Sequence, residues 1–360
     1  MELEVGRNPT FACDRAGDVD NPRPSRRTFQ PSMGQPITAS HLSEIVSNHE
    51  NFVLLSHARP DGDAIGSVVA LKAVLESLGK TVVGLNEDAV PDNLRFIRGA
   101  EGLQCPSGPI EAEVVIALDT ANRERLGAKC LDSLGEGKIW VNIDHHISNE
   151  NYGDYWLIDD KSAATGEILY EIVKELNWPL PDIARDALYV ALSTDTGSFQ
   201  YSNTSGRTHK MAADLVERGL DVAALTSRLY HDYPFRRVEL LRSLLETMKL
   251  TEDGRIAWWT LSCDTKARIG MQAGDGEGLI DVLRAIQGVL VCGFIEEMDD
   301  GKIRLSLRSK NSSVNVCDIC AQFGGGGHAL AAGAKTLGPL SEAVSRFLEV
   351  AEKSLPPKNL

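Results

Sequence analysis

The chain has 360 residues, and its 37 basic residues stand against 51 acidic ones for a formal net charge of −14. That balance excludes a protein that wraps long duplex nucleic acid or lies on an anionic bilayer, because both need a basic footprint. At 42% apolar and 24% charged it is an ordinary globular composition, and no apolar run approaches the ~20 residues of a membrane span. The seven cysteines are scattered rather than patterned as a disulfide framework, so a reducing cytoplasm is the expected setting.

Residues 1–36 carry five prolines, ten apolar residues, and five Arg against five acids. Lacking the apolar core of a secretory signal, they read as a disordered tail with no chemistry of their own. Residues 51–56 (NFVLLS) then read as a buried strand and 64–78 as a helix with apolar residues at helical spacing. Residues 80–85, 113–118 and 138–143 read as further strands, and 163–176, 182–193 and 208–218 as helices. Strand and helix in alternation predict an α/β domain with a mostly parallel sheet over residues 37–234. Sheets of that kind bind ligands outside the carboxyl ends of their strands. An amphipathic helix at 235–247 lies within a connector over 235–248. The β-rich segments 256–261, 288–296 and 302–307 then predict a smaller α+β domain over 249–360.

The chemistry-bearing residues sit where the first-domain strands end. The first strand runs into His57-Ala-Arg-Pro-Asp61-Gly-Asp63, the third ends at Asp119, the fourth ends in Asp144-His145-His146, and Asp195 follows a helix. Taken singly, an Asp at a strand end caps a helix or forms a turn, and Asp63 before Ala64 fits a cap. The Asp-Gly-Asp segment fails as a calcium loop, because Lys72 stands where the bidentate Glu belongs. Jointly, four segments deliver Asp and His to one rim. Crowded carboxylates need a cation between them, and mixed oxygen and nitrogen donors suit manganese, with magnesium or cobalt as alternatives.

These residues resemble the DHH phosphoesterases, named for the triplet found here at Asp144-His145-His146. HARPDGDAIGS, ALDT, NIDHHISN and STDTGSF look like the four family motifs. The resemblance implies two manganese ions, one held by His57, Asp61 and Asp119, the other by Asp63, Asp119, His145 and Asp195. Asp119 would bridge, and His146 would face a substrate phosphate. Asp119, Asp144 and His146 are the expected catalytic residues.

In the second half, Phe323-Gly-Gly-Gly-Gly-His328-Ala-Leu-Ala-Ala-Gly333 resembles the glycine-rich loop of the DHH-associated C-terminal domain. Glycines let backbone N–H groups crowd around an anion, and a helix starting after them would add its dipole. Upstream, Lys302, Arg304, Ser306, Arg308 and Lys310 alternate with apolar residues at strand period. The resemblance implies that Arg308 and Ser309 grip phosphate beside Gly326, Gly327 and His328, placing the active site in the cleft between domains. Cys317 and Cys320 have zinc-like spacing but no second pair, and read as small apolar positions on a helix. Ser162 to Thr165 reads as a helix start by a capping pattern; the resemblance sets it near the active site, as a weaker candidate for substrate contact.

A catalytic domain followed by the glycine-rich domain is most similar to the oligoribonuclease (nanoRNase) class. That class cuts RNAs of a few nucleotides to 5′-mononucleotides and often removes the 3′-phosphate of adenosine 3′,5′-bisphosphate. Short oligoribonucleotides or nucleotide phosphates are thus the expected partners, and the resemblance leaves a homodimer open. A cyclic or linear dinucleotide phosphodiesterase is the second reading, and a nucleotide-binding regulator without turnover the third. The net charge does not oppose a polyanionic ligand of that size. Residues 301–338 hold Lys302, Arg304, Arg308, Lys310 and Lys335 against Asp318 alone, a local net of +4.

Overall fold

The computed structural model describes residues 34–272 and 274–357. In chain order, β1 (Gln35–Pro36) and α1 (Ala39–Asn48) lead into β2 (Asn51–Leu55), α2 (Gly62–Ser77), β3 (Thr81–Leu85), β4 (Leu103–Gln104) and β5 (Val114–Leu118). Next come α3 (Ala128–Leu134), β6 (Ile139–Asp144), β7 (Tyr155–Ile158), α4 (Thr165–Glu175), α5 (Asp182–Asp195), α6 (Gly206–Glu217) and α7 (Val222–Tyr230). The seven strands form one sheet in the order β1-β7-β6-β5-β2-β3-β4, and every pairing in it is parallel.

The central strands of this sheet are apolar on both faces because helices cover both. One face packs Phe52, Leu54 and Ile116 with α1, α2, α4 and α5, and the other packs Val53, Leu55 and Val115 with α3. Gly66 brings α2 against α5, since a Cβ there would lie 2.6 Å from the Ala187 carbonyl oxygen. That close approach matters for the site, because α2 carries Asp63 and α5 ends at Asp195.

The second sheet and the helices around it comprise, in chain order, α8 (Phe235–Thr247), β8 (Lys249–Leu250), β9 (Ile256–Leu261), α9 (Cys263–Ile269), α10 (Asp281–Arg284), β10 (Val291–Glu297), β11 (Ile303–Ser309), α11 (Val316–Ala321), β12 (Gly326–Gly327), β13 (Ala331–Thr336) and α12 (Leu340–Ser354). Its order is β12-β13-β11-β10-β9-β8. One face buries Ile295, Leu305 and Leu307 beneath α11 and α12, the latter through Phe347. The other face buries Trp259 and Leu261 beneath α8 and α10.

Three expectations change. Gln35 and Pro36, the end of the stretch read as a tail, pair with Tyr155 and Trp156 at the sheet edge; residues 1–33 lie outside the described residues. The helix expected as a connector packs onto the second sheet, where its Leu240 and Leu244 are buried with Trp259. The glycine-rich stretch is followed by a hairpin and not by a helix, with Gly326 opposite Gly333 and Gly327 opposite Ala332. Trp140, Trp258 and Trp259 are buried in strands, and Cys320 is buried on α11, as read from the sequence. Among the described residues, no helix is long and apolar enough to cross a membrane.

Candidate active site

The carboxyl ends of β2, β5 and β6 converge with the start of α2 and the end of α5. His57 follows β2 and is buried; its Nδ1 lies 3.0 Å from the Ala58 carbonyl. With that nitrogen engaged, Nε2 faces Asp119 Oδ2 at 3.4 Å and Asp61 Oδ2 at 3.7 Å. Asp61, and not Asp63, caps α2, accepting the Ala64 N–H at 3.1 Å. Asp63 sits inside the first turn of α2, fully buried, and its carboxylate reaches the start of α4. It accepts the Thr165 and Gly166 N–H groups at 2.7 and 3.0 Å and the Ser67 hydroxyl at 2.9 Å. It therefore caps a helix, but a remote one. Ser162, read as that helix's own cap, instead donates to Asp159 at 2.7 Å.

His145 completes a second group. Its Nδ1 lies 3.3 Å from the Ser162 carbonyl, and its Nε2 faces Asp195, Asp119 and Asp63 at 3.2, 3.6 and 3.9 Å. Asp119 lies between the groups with its two oxygens turned to different histidines. Its backbone is in the left-handed region at φ +54°, an outlier for a residue with a Cβ and of the sort that clusters at functional sites. The Thr165 hydroxyl donates to Asp119 Oδ1 at 3.3 Å from a fully buried position, so Thr165 orients Asp119 instead of meeting substrate.

The donor atoms gather into compact trios: His57, Asp61 and Asp119; Asp63, His145 and Asp195; and Asp119, His145 and His146. Burial, and then Asp119, pushes the Asp63 carboxyl up to about 7. Burial together with Asp63, Asp61 and Asp119 raises Asp195 well above the usual carboxylate range. Burial opposes charge on His57 and His145 too, yet the surrounding aspartates hold both above the ordinary imidazole value. Protons thus stand in for positive charge that the carboxylates require, and this oxygen and nitrogen donor set fits divalent cations.

Asp144, expected among the catalytic residues, stands behind this cluster. It is fully buried, and its oxygens lie 2.7 Å from His146 Nδ1, 2.9 Å from the His145 amide nitrogen and 2.6 Å from Asn149 Nδ2. Asp144 is therefore a positioning residue that fixes the His146 ring. Asn149 also donates to Asn142 Oδ1 at 2.8 Å. Sequence reasoning did not single out either asparagine, although both lie within NIDHHISN.

Across the cleft, the His328 ring stacks on His146 at 5.1 Å between centroids. Gly326 and Gly327 before it form the edge strand β12, and Gly325, which precedes that strand, lies so near β13 that a Cβ would come 2.2 Å from the Gly333 oxygen. An edge of bare backbone next to His328 leaves N–H groups open to an anion. Arg308 is on the half-exposed face of β11, where its guanidinium donates to the Leu307 carbonyl at 3.0 Å. Ser309 corrects the expectation for it. Strand alternation turns it inward, it is 1% exposed, and its hydroxyl donates to the Asn311 and Leu290 carbonyls at 2.7 and 3.3 Å.

The fold and this site define a member of the DHH family of phosphoesterases, and the chain belongs to it. Residues 51–192 match the family's N-terminal domain, and residues 264–355 match the DHHA1 domain. Two curated relatives carry the name bifunctional oligoribonuclease and PAP phosphatase NrnA. The one from Bacillus subtilis is 31% identical over 82% of this chain and 92% of its own length. The one from Thermus thermophilus is 32% identical over 84% of this chain and 89% of its own. A solved structure of an exopolyphosphatase-related protein from Bacteroides fragilis superposes with a TM-score of 0.80 at 25% identity, covering 88% of this chain and 95% of that one.

Proposed function

We propose that this chain hydrolyses short oligoribonucleotides to 5′-mononucleotides and removes the 3′-phosphate of adenosine 3′,5′-bisphosphate, with two manganese ions as cofactors. The observation that carries this is one convergence: six Asp and His donors from separate segments meet beside a His146–His328 stack that joins the two domains. The names borne by the Bacillus and Thermus relatives support the substrate class.

His57, Asp61 and Asp119 would hold one ion, and Asp63, Asp119, His145 and Asp195 the other. Bound there, divalent ions would supply the charge that acidifies a water and stabilises phosphoryl oxygens. His146, with Nδ1 held by Asp144, keeps Nε2 for an oxygen of the scissile phosphate. Burial lowers its pKa, but the hydrogen bond with Asp144 and the charges of Asp119 and Asp144 together raise it above the ordinary imidazole value. Arg308 and the β12 edge with Gly326, Gly327 and His328 bind the neighbouring phosphate, and the cleft between them admits a single short strand. The domains are assigned as 37–234 for catalysis and 249–360, with α8, for substrate binding, in a cytoplasmic protein.

The test is release of mononucleotides from labelled diribonucleotides, pentaribonucleotides and adenosine 3′,5′-bisphosphate by metal-stripped protein reloaded with manganese. Turnover of cyclic dinucleotides alone would replace this reading with a dinucleotide phosphodiesterase. Nucleotide binding without any turnover would replace it with a regulator.

A further inference from the structure

Two arginines at the rim have no part in the site described so far. Arg59 and Arg125 lie on loops stitched together by the Ala58 N–H, which donates to the Arg125 carbonyl at 2.7 Å. Arg59 stands between His57 and Asp61 with its backbone at φ +56°, a conformation costly for a residue with a Cβ. The Asp88 carboxylate holds it there, accepting its N–H at 2.7 Å. The Arg125 N–H is tied to Asn122 Oδ1 at 3.1 Å. Both side chains are exposed, and neither guanidinium forms an ion pair or hydrogen bond with another described residue. In a chain with a net charge of −14, that is an uncommon state for adjacent arginines.

Strand β11 of the second domain carries further positive charge. Arg304 shares the half-exposed face of β11 with Arg308. It pairs with the buried Glu296, but Lys266 lies 2.6 Å from the other oxygen of the same carboxylate, so one acid serves two cations. The charge of Arg125 reaches His328. Cations that outnumber the carboxylates among them, here Asp88 and Glu296, call for an anion.

We propose that Arg59 and Arg125 form a second anion subsite at the cleft rim, which holds the phosphodiester backbone of the strand beyond the scissile bond. This rests on the reading of the chain as a short-oligoribonucleotide hydrolase and adds a basis for its length preference. A dinucleotide has only the phosphodiester that is cut, whereas a tri- to pentanucleotide carries further phosphates to reach the arginines. Affinity therefore rises with length until the rim is filled.

The experiment compares KM for di-, tri- and pentaribonucleotides between the manganese-loaded protein and its Arg59→Ala/Arg125→Ala variant. The native protein is expected to show a KM for the pentamer on the order of tenfold below that for the dimer, and the variant to lose that ratio. Its log-affinity against log-salt slope should flatten by about 0.7 for each phosphate deprived of its arginine. The Arg59→Lys/Arg125→Lys variant should restore most of the ratio, which separates charge from misfolding. An unchanged pentamer-to-dimer ratio in the alanine variant overturns the subsite. If the native protein cuts no ribonucleotide of any length, the substrate reading fails by itself, and anisotropy of a fluorescein-labelled pentaribonucleotide decides the subsite. A tenfold weaker Kd in the alanine variant then supports it; an equal Kd, or no binding by the native protein, overturns it.

Discussion

His146 of the first domain and His328 of the second stack with ring centroids 5.1 Å apart and planes 24° from parallel. Burial, together with His146 and His145, pushes the His328 pKa down to about 4, whereas Asp144 holds that of His146 up against burial. The two stacked rings are thus pushed in opposite directions across the domain boundary. Polar contacts also cross the boundary: Tyr201 donates to Asp281 at 3.2 Å, and Arg236 pairs with Asp92 at 3.0 Å.

Asp119→Ala removes the carboxylate whose oxygens face both His57 and His145. Turnover of a diribonucleotide should fall by roughly 10³-fold, because both ions lose a ligand. Calorimetric manganese titration should show weakened binding in the same variant. Near-native turnover would remove Asp119 from the bridging position.

Asp144→Asn keeps the shape of the side chain and removes its charge from His146 Nδ1, 2.7 Å away. The expected loss is about 10–100-fold in kcat with little change in KM, as for other groups that orient a functional histidine. The carboxylate raises the pKa of His146, so the alkaline limb of the pH–rate profile should move to lower pH. A proportional loss at every pH would indicate a merely structural role.

Arg308→Ala should raise KM for a diribonucleotide on the order of tenfold, the cost of one charge-assisted phosphate contact. A generic aryl phosphodiester that does not reach the second domain should lose less. Equal losses on both substrates would exclude Arg308 as a clamp remote from the reacting phosphate.

Stability of the metal-stripped protein should fall as pH rises from 6 to 8. Asp63 is raised from 3.8 to about 7, so the folded state binds the proton more tightly, and that stabilisation is lost as pH passes about 7. His57 and His145 act with the same sign: their folded values lie above 6.5, and their contribution is lost as pH rises through them. Manganese bound at these residues would supply the missing charge, so the rise in Tm on adding it should grow with pH. A metal-induced shift independent of pH between 6 and 8 would contradict this.

Much of the site was legible because its ligands cluster in short motifs at strand ends, and a buried parallel strand announces itself as an unbroken apolar run. The α/β class and the delivery of Asp and His to one rim follow from such local patterns, whereas the pairing of the two domains and the sharing of Asp119 between two sets were implied by the resemblance of the motifs. Side-chain direction and remote partners follow from neither. Asp63 looked like the cap of its own helix, but the close packing of α2 beside α4 makes it the cap of Thr165 and Gly166, about a hundred residues away in sequence. Strand period already sets Ser309 on the face opposite Arg308, yet only the core beneath β11 decides that this face is closed to ligand. The four glycines show that backbone must come close to something. That it is β13, and not a following helix, is decided by hydrogen bonding between segments that no local pattern encodes.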